Sequence, residues 1–238
     1  MTVRILAEES RRWRMRFRGW GLSLLVGEDL LFDTYCDGRR LARSFGRFGI
    51  TPRQIRTVVI SHDHWDHTGG LAWLLCQNPA VTVYVGRGFS RETKHGAAGA
   101  GAEVVEVADP IQLTEGVWST GEMPFSYKGA DMVEQALVLE RGEGVAVLTG
   151  CSHPGIEEVL RRAVSLPHGL PLRAVIGGFH LMNHTAADAA AVAGSLQQTY
   201  DLDLIAPCHC TGPQGCSRFR KVFRERYRPV QTGSRFEL

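Results

Sequence analysis

No stretch of this chain approaches the length of a membrane-spanning helix, and the start, Met1–Ala7, lacks an apolar run long enough for a signal peptide. Those absences set the expectation of a cytoplasmic protein with no membrane partner. A linker rich in Pro, Gly or Ser is also missing, so 238 residues with 44% hydrophobic content are expected to form one domain, residues 1–238, with a sizeable core. Excess charge is lacking: 27 Lys and Arg against 25 Asp and Glu leave +2, too little to imply a polyanionic partner. There is no Gly-x-Ser-x-Gly elbow, which removes the usual strand-to-helix serine nucleophile. The six cysteines, Cys36, Cys76, Cys151, Cys208, Cys210 and Cys216, form no regular framework, and Cys208-x-Cys210 is too tight for a C-x-x-C motif. Reduced thiols are therefore the default reading.

What is present is concentrated between Ser61 and Gly70, where the chain reads Ser-His-Asp-His-Trp-Asp-His-Thr-Gly-Gly directly after the apolar run Thr57–Ile60. His62, His64, Asp66 and His67 fall within six residues. Imidazoles and a carboxylate at this density are costly in a core and useful at a metal, because borderline divalent ions accept both donors. Two residues apart on an extended strand end, His62 and His64 point the same way, while Asp66 and His67 turn toward a neighbouring position. One short loop can then serve two ions. Gly69 and Gly70 would ease close backbone approach before a helix at Leu71–Cys76.

The string His-x-His-x-Asp-His after a buried strand resembles the signature of the metallo-β-lactamase fold superfamily. Gly21–Leu25, Leu31–Thr34, Gly150–Ile156, Gly177–Leu181 and Pro207–Gly212 are similar to one branch of it, the metal-dependent hydrolases of the β-lactamase superfamily II. Members of that branch often carry the name 7,8-dihydropterin-6-methyl-4-(β-D-ribofuranosyl)-aminobenzene-5′-phosphate synthase. The likeness spans roughly residues 20 to 215.

A pass along the chain agrees with an α/β protein. Gly21–Val26 and Leu30–Thr34 form a hairpin about Gly27-Glu28-Asp29, followed by a helix at Arg39–Phe48, a strand at Val58–Ile60, a helix at Leu71–Cys76 and a strand at Val81–Gly86. Strand-like pieces at Val104–Val107, Ile111–Leu113 and Val117–Ser119 lead to a second, similar half. That half has strands at Ala136–Glu140, Val145–Thr149, Leu172–Ile176 and Leu204–Ala206, and helices at Gly155–Ser165, Ala186–Tyr200 and Ser217–Arg226. Strands inside and helices outside predict a four-layer αββα sandwich of the metallo-β-lactamase type, with ligands on loops at one sheet edge.

Two further strand ends carry histidines, Val145–Thr149 running into Gly150-Cys151-Ser152-His153 and Leu204–Ala206 into Pro207-Cys208-His209-Cys210. The resemblance implies that His209 completes a second ion with Asp66 and His67. It also implies an aspartate where this chain has Cys151, and a histidine before Ala136 where Asp131–Gln135 has none. Either Cys151 is a thiolate ligand or His153 takes over; His153 is favoured because that other imidazole is missing. The expected metal ligands are thus His62, His64, Asp66, His67, His153 and His209. Asp66 also orients the nucleophile, and His180 faces the substrate and polarises a leaving group. Asp33 would fix a ligand tautomer by accepting an imidazole N–H. Asp63 departs from the branch, which has glycine there.

Such a site lowers the pKa of water from about 15.7 toward roughly 7, so the expected reaction is metal-assisted hydrolysis of a small-molecule ester, phosphoester or lactone. The alternatives are a pterin-precursor synthase or transferase of the methanopterin type, a nuclease, and a non-catalytic metal-binding module. Zinc, two ions, is the expected cofactor; manganese or ferrous iron accept the same ligands. The expected partner is a small molecule bearing a phosphate, for which Arg18, Arg39, Arg40, Lys94 and Arg218 are candidate contacts. Nucleic acid is the less favoured partner, despite Arg12, Arg14, Arg16 and Arg18 alternating with Trp13, Met15 and Phe17, and despite the basic face from Arg218 to Arg228.

Overall fold

The computed structural model describes residues 1–11, 19–167 and 169–238. The alternating basic and aromatic stretch at 12–18 lies outside the described residues.

In chain order the elements are β1 (Thr2–Glu9), β2 (Gly21–Val26), β3 (Leu30–Phe32), α1 (Gly38–Phe48), β4 (Thr57–Val59), α2 (Trp65–Thr68), α3 (Leu71–Gln77), β5 (Thr82–Gly86), α4 (Arg91–Gly99) and β6 (Glu103–Val107). There follow β7 (Ile111–Thr114), β8 (Val117–Ser119), β9 (Met123–Tyr127), β10 (Ala130–Glu134), β11 (Leu137–Arg141), β12 (Gly144–Thr149) and α5 (Ile156–Val164). The last elements are β13 (Leu172–Gly178), α6 (Ala186–Thr199), β14 (Leu204–Cys208), α7 (Gly212–Phe223) and β15 (Arg235–Glu237).

Two sheets face each other, one ordered β15-β1-β2-β3-β4-β5-β6 and the other β14-β13-β12-β11-β8-β7. Between them Val3, Ile5, Leu24 and Phe32 of the first sheet pack on Leu137, Leu148, Ala174 and Ile176 of the second. The outer face of the first sheet is covered by Leu41 and Phe45 of α1 and Leu71, Leu74 and Leu75 of α3. On the far side, α5, α6 and α7 cover the second sheet through Val159, Leu160, Ala193, Leu196 and Phe219. The layering is αββα, as expected from apolar strands flanked by helices with one apolar face.

Local signals explain the boundaries. Asp37 caps α1 by accepting the Arg40 backbone N–H at 2.9 Å, and Gly49 ends it in the left-handed region. Thr185 and Asp188 form a reciprocal box at the start of α6. Pro213 in the first turn lets α7 begin at Gly212, five residues before the expected Ser217, and it stops at Phe223 because Arg224 adopts φ +50 and starts a separate 3-10 turn. Asp66 and His67 sit on the one-turn helix α2 rather than in the open loop expected there, and Gly69 and Gly70 follow it closely packed. A Cβ on Gly70 would lie 2.1 Å from the Thr34 carbonyl oxygen.

β3, β4 and β5 run parallel, as do β12, β13 and β14, so their carboxyl ends emerge along one edge. The loops after β4, β12, β13 and β14 carry the histidines. A hairpin not expected from the sequence, β9 and β10, reaches over the same edge. It is anchored by a bridge between His62 and Glu134 and by the Gln135 N–H donating to the Ser61 carbonyl at 2.8 Å. No helix among the described residues is long and apolar enough to cross a membrane.

Candidate metal centre

The edge gathers the expected residues into two donor groups. His62, His64 and His153 bring their ligand atoms within 4.8 Å of one another, and so do Asp66, His67 and His209. Cys151 stands between the groups, clustering with His62 and His67 and lying 3.4 Å (Sγ) from His67 Nε2. Both Cys151 and His153 lie at this edge: His153 is grouped with His62 and His64, and Cys151 lies at the seam between the groups. His180 falls with Cys151 and His153, its ring 4.3 Å from that of His153. All six expected ligand residues and His180 are thus at one place. Asp63 points away from it, accepting from the Ser90 N–H and the Thr93 hydroxyl.

His62, His67, His153 and His209 are each oriented through Nδ1. His67 Nδ1 donates to Asp33 Oδ2 at 2.6 Å, and Asp33 also accepts the Ser61 N–H at 2.7 Å and the Ser61 hydroxyl at 2.8 Å. Ser61 Oγ is in turn 2.9 Å from His62 Nδ1, so one buried carboxylate steers an imidazole in each group. His209 Nδ1 is 3.3 Å from the Glu9 carbonyl, and the His209 backbone N–H donates to the half-buried Glu8 carboxylate at 3.0 Å. On the working side, Nε2 of His62 and of His64 is buried without a hydrogen-bond partner among the described residues, and His209 Nε2 lies 3.2 Å from Asp66 Oδ2. Leaving a buried polar atom unpaired costs about 1–3 kcal/mol. These imidazole nitrogens converging with a carboxylate and a thiol fit divalent metal ions.

Strain is concentrated here too. Asp33, Ser152, His180 and His209 all lie at φ between +48 and +61, in the left-handed region that non-glycine residues avoid at a cost of order 1–3 kcal/mol each. The neighbouring Gly178 shows why the strand ends are so near: a Cβ there would meet the Gly150 carbonyl oxygen at 2.4 Å and Cys210 Sγ at 2.6 Å.

Electrostatics follow from burial and neighbours. Burial, reinforced by the adjacent imidazoles, pushes His62 far down and holds His64 at about 4, so both stay neutral and available as ligands. Burial alone would lower His67 as well, but Asp33 and Asp66 raise it to about 9. Burial opposes ionisation of Asp66, and the facing His67 and His209 outweigh it, keeping the carboxyl below the usual range.

Sequence reasoning missed three features. Glu134, fully buried at the end of β10, accepts from the backbone N–H groups of Cys151, Ser152 and His153 and from His153 Nδ1. Burial would raise its pKa, but the His153 ring and these N–H groups hold it below the usual carboxylate value. Aromatic walls are the second: Tyr127 packs edge-on against His64 at 4.7 Å, and Trp20 lies 4.9 Å from His209. With Trp65, which is 57% exposed, Tyr127 and Trp20 line a cavity of about 410 Å³ over both donor groups. Third is Lys128, the one Lys or Arg among the described residues lining that cavity; Arg39, Arg40, Lys94 and Arg218 do not line it, and Arg18 is outside the described residues.

Comparison with known proteins gives the family. A curated relative from Methanocaldococcus jannaschii, 7,8-dihydropterin-6-methyl-4-(beta-D-ribofuranosyl)-aminobenzene-5'-phosphate synthase, is 26% identical over 263 aligned positions, covering 90% of this chain and 88% of its own. Among solved structures, Tm1679, a metal-dependent hydrolase of the beta-lactamase superfamily, superposes with a TM-score of 0.79 at 23% identity, covering 100% of this chain and 99% of its own. Human tRNase Z, short form, superposes at 0.66 with 13% identity, covering 100% and 99%, a likeness of fold alone. The model of the metallo-beta-lactamase superfamily matches residues 22–209, most of the chain, and the chain belongs to that superfamily.

Proposed function

We propose that this chain is a dinuclear metal-dependent hydrolase acting on a small-molecule ester, phosphoester or lactone. The observation that carries the reading is the pair of facing donor groups, His62/His64/His153 and Asp66/His67/His209, of which His64, Asp66, His153 and His209 line one cavity. Zinc is the metal the donor set favours, since imidazole is a borderline donor and thiolate a soft one, and zinc also accepts carboxylate oxygen. Metal ions held there would supply water ionised near neutral pH and positive charge for a developing oxyanion.

The chain's own residues do the rest. Asp66, kept ionised by His67 and His209, ligates and sets the direction of the nucleophile. His180, whose buried Nδ1 has no partner among the described residues, is positioned to donate a hydrogen bond to the leaving group. Trp20, Trp65 and Tyr127 offer flat apolar faces to a substrate, and Lys128, 5.1 Å over the Tyr127 ring, offers a counter-charge for a phosphate. An open cavity of about 410 Å³ is the size of a small-molecule site.

A second reading, synthesis on a pterin precursor, is favoured by the curated relative, whose alignment covers 90% of this chain. The two readings differ in products. Hydrolysis incorporates oxygen from labelled water into a product and needs one organic substrate, whereas synthesis consumes two.

Elemental analysis of the chain purified without added metal, paired with turnover of phosphoester and lactone panels before and after chelation, tests the proposal. About two ions per chain and chelator-sensitive turnover are expected. His64→Ala and His67→Ala should each lose metal and turnover together; a metal-depleted variant with full activity would defeat the reading.

A further inference from the structure

His153 comes from a loop, yet a ligand must be held to within a fraction of an ångström. The loop is strained, with Ser152 at φ +61 and Gly155 at φ +98, and the Ser152 hydroxyl ties its backbone to Thr149 Oγ1 and the Gly178 carbonyl, each at 2.8 Å. The His153 side chain itself is held from the β9–β10 hairpin. Glu134 Oε1 accepts the Cys151 and Ser152 N–H groups, each at 2.8 Å, and Oε2 accepts the His153 N–H at 2.7 Å and the His153 ring at Nδ1 at 3.0 Å. On the adjacent strand, where Phe125 pairs with Met132, the Phe125 ring stacks on the His153 ring at 4.4 Å and 9°. One edge of the imidazole and one face are thereby fixed from the same hairpin.

We infer that Glu134 is a positioning residue that fixes His153 as the Nδ1–H tautomer and so turns its Nε2 toward His62 and His64. This rests on the metal reading above for its purpose, but not for its geometry. All four acceptor positions on Glu134 are spent, and its Oε1 is 4.0 Å from His62 Nδ1, so it acts through His153 and not on an ion directly. Glutamine cannot substitute. An amide has a single acceptor oxygen, and its NH2 would face two of the four donors. Glu134 thus does for the first donor group what Asp33 does for His67, and it explains how a chain without an imidazole at Asp131–Gln135 recruits one from the following loop.

The tautomer is read first, by long-range ¹H–¹⁵N correlation on the unmutated, ¹⁵N-labelled chain at pH 8 after chelation, with His153→Gln as the assignment control. A proton on Nδ1 is expected; a proton on Nε2 overturns the inference, whether or not the chain binds metal. Zn2+ alone is then titrated, in competition with a chromophoric chelator, into the unmutated chain, Glu134→Gln, His153→Ala and the double variant. Glu134→Gln should keep one equivalent at unmutated affinity and hold the other about 10- to 100-fold more weakly. Because Glu134 reaches the first donor group through His153, the double variant should bind no more weakly than His153→Ala. Additive losses, or equal weakening of both equivalents, would mark a fold-wide role and overturn the inference. Should Glu134→Gln fail to fold, the tautomer in the unmutated chain still decides. A chain that binds no Zn2+ at all would remove the proposed function, and the two failures stay distinguishable.

Discussion

Replacing Asp33 by asparagine should weaken both donor groups at once, a pattern that no single ligand substitution produces. In the native chain Asp33 accepts three hydrogen bonds while fully buried, from the Ser61 N–H, the Ser61 hydroxyl and His67 Nδ1. Asparagine is nearly isosteric and its carbonyl can keep the backbone bond, but its NH2 then faces two groups that had been donors. Each charge-assisted bond contributes about 1.5–3 kcal/mol net. The Ser61 hydroxyl can rotate and His67 can move its proton, recovering part of this, so a folding loss of about 1–3 kcal/mol is expected. The recovery is what damages the site. Once His67 accepts at Nδ1, its proton sits on Nε2, the nitrogen facing Asp66 and Cys151. A Ser61 hydroxyl that no longer donates to residue 33 donates instead to His62 Nδ1, moving the His62 proton to Nε2 as well. Both Zn2+ equivalents should weaken by about 10- to 100-fold. Equilibrium urea unfolding in chelator reads the folding term, and chelator competition reads each equivalent. Unmutated affinity at both equivalents, or weakening confined to one, would refute the relay through Ser61.

Other consequences are more local. Asp33→Ala should cost more than Asp33→Asn, because three buried donors lose their acceptor at about 1–3 kcal/mol each; urea midpoints that coincide for the two variants would count against the accounting. Gly178→Ala should destabilise the chain and disturb the Cys210 side, since the added methyl meets backbone at 2.4 Å; a melting temperature within a degree of the unmutated chain would show that the strand ends can part. Burial pushes the Cys216 thiol up to about 12, so at pH 8 only about one thiol in ten thousand is ionised and iodoacetamide should label exposed Cys76 and spare Cys216. Peptide mapping of the labelled native chain checks this, and early modification of Cys216 would contradict it.

Some of the site was legible because its chemistry is compressed into sequence, and the remainder was not because it is distributed across strands. His62, His64, Asp66 and His67 are adjacent in the chain, and each further histidine follows an apolar strand whose end is visible as a change from Val, Leu and Ile to Gly, Cys and Pro. The same apolar runs made the two sheets and their outer helices readable. β1 was missed because Thr2–Glu9 carries Arg4, Glu8 and Glu9 among its apolar residues, and only tertiary packing reveals that Glu8 and Glu9 end the strand beneath His209. The β9–β10 hairpin was missed for a related reason. Its strands are short and half exposed, so their alternation competes with a turn-like composition, even though Lys128-Gly129 marks the reversal. Glu134 is the sharper case, since a lone glutamate in a polar stretch carries no ligand signal. The structure shows the reason for it: a buried loop with three consecutive N–H groups and a histidine, bent through left-handed backbone at Ser152, needs a buried acceptor from somewhere. The strand that should have supplied an imidazole supplies that acceptor instead, so the missing histidine before Ala136 and the presence of His153 are two sides of one arrangement.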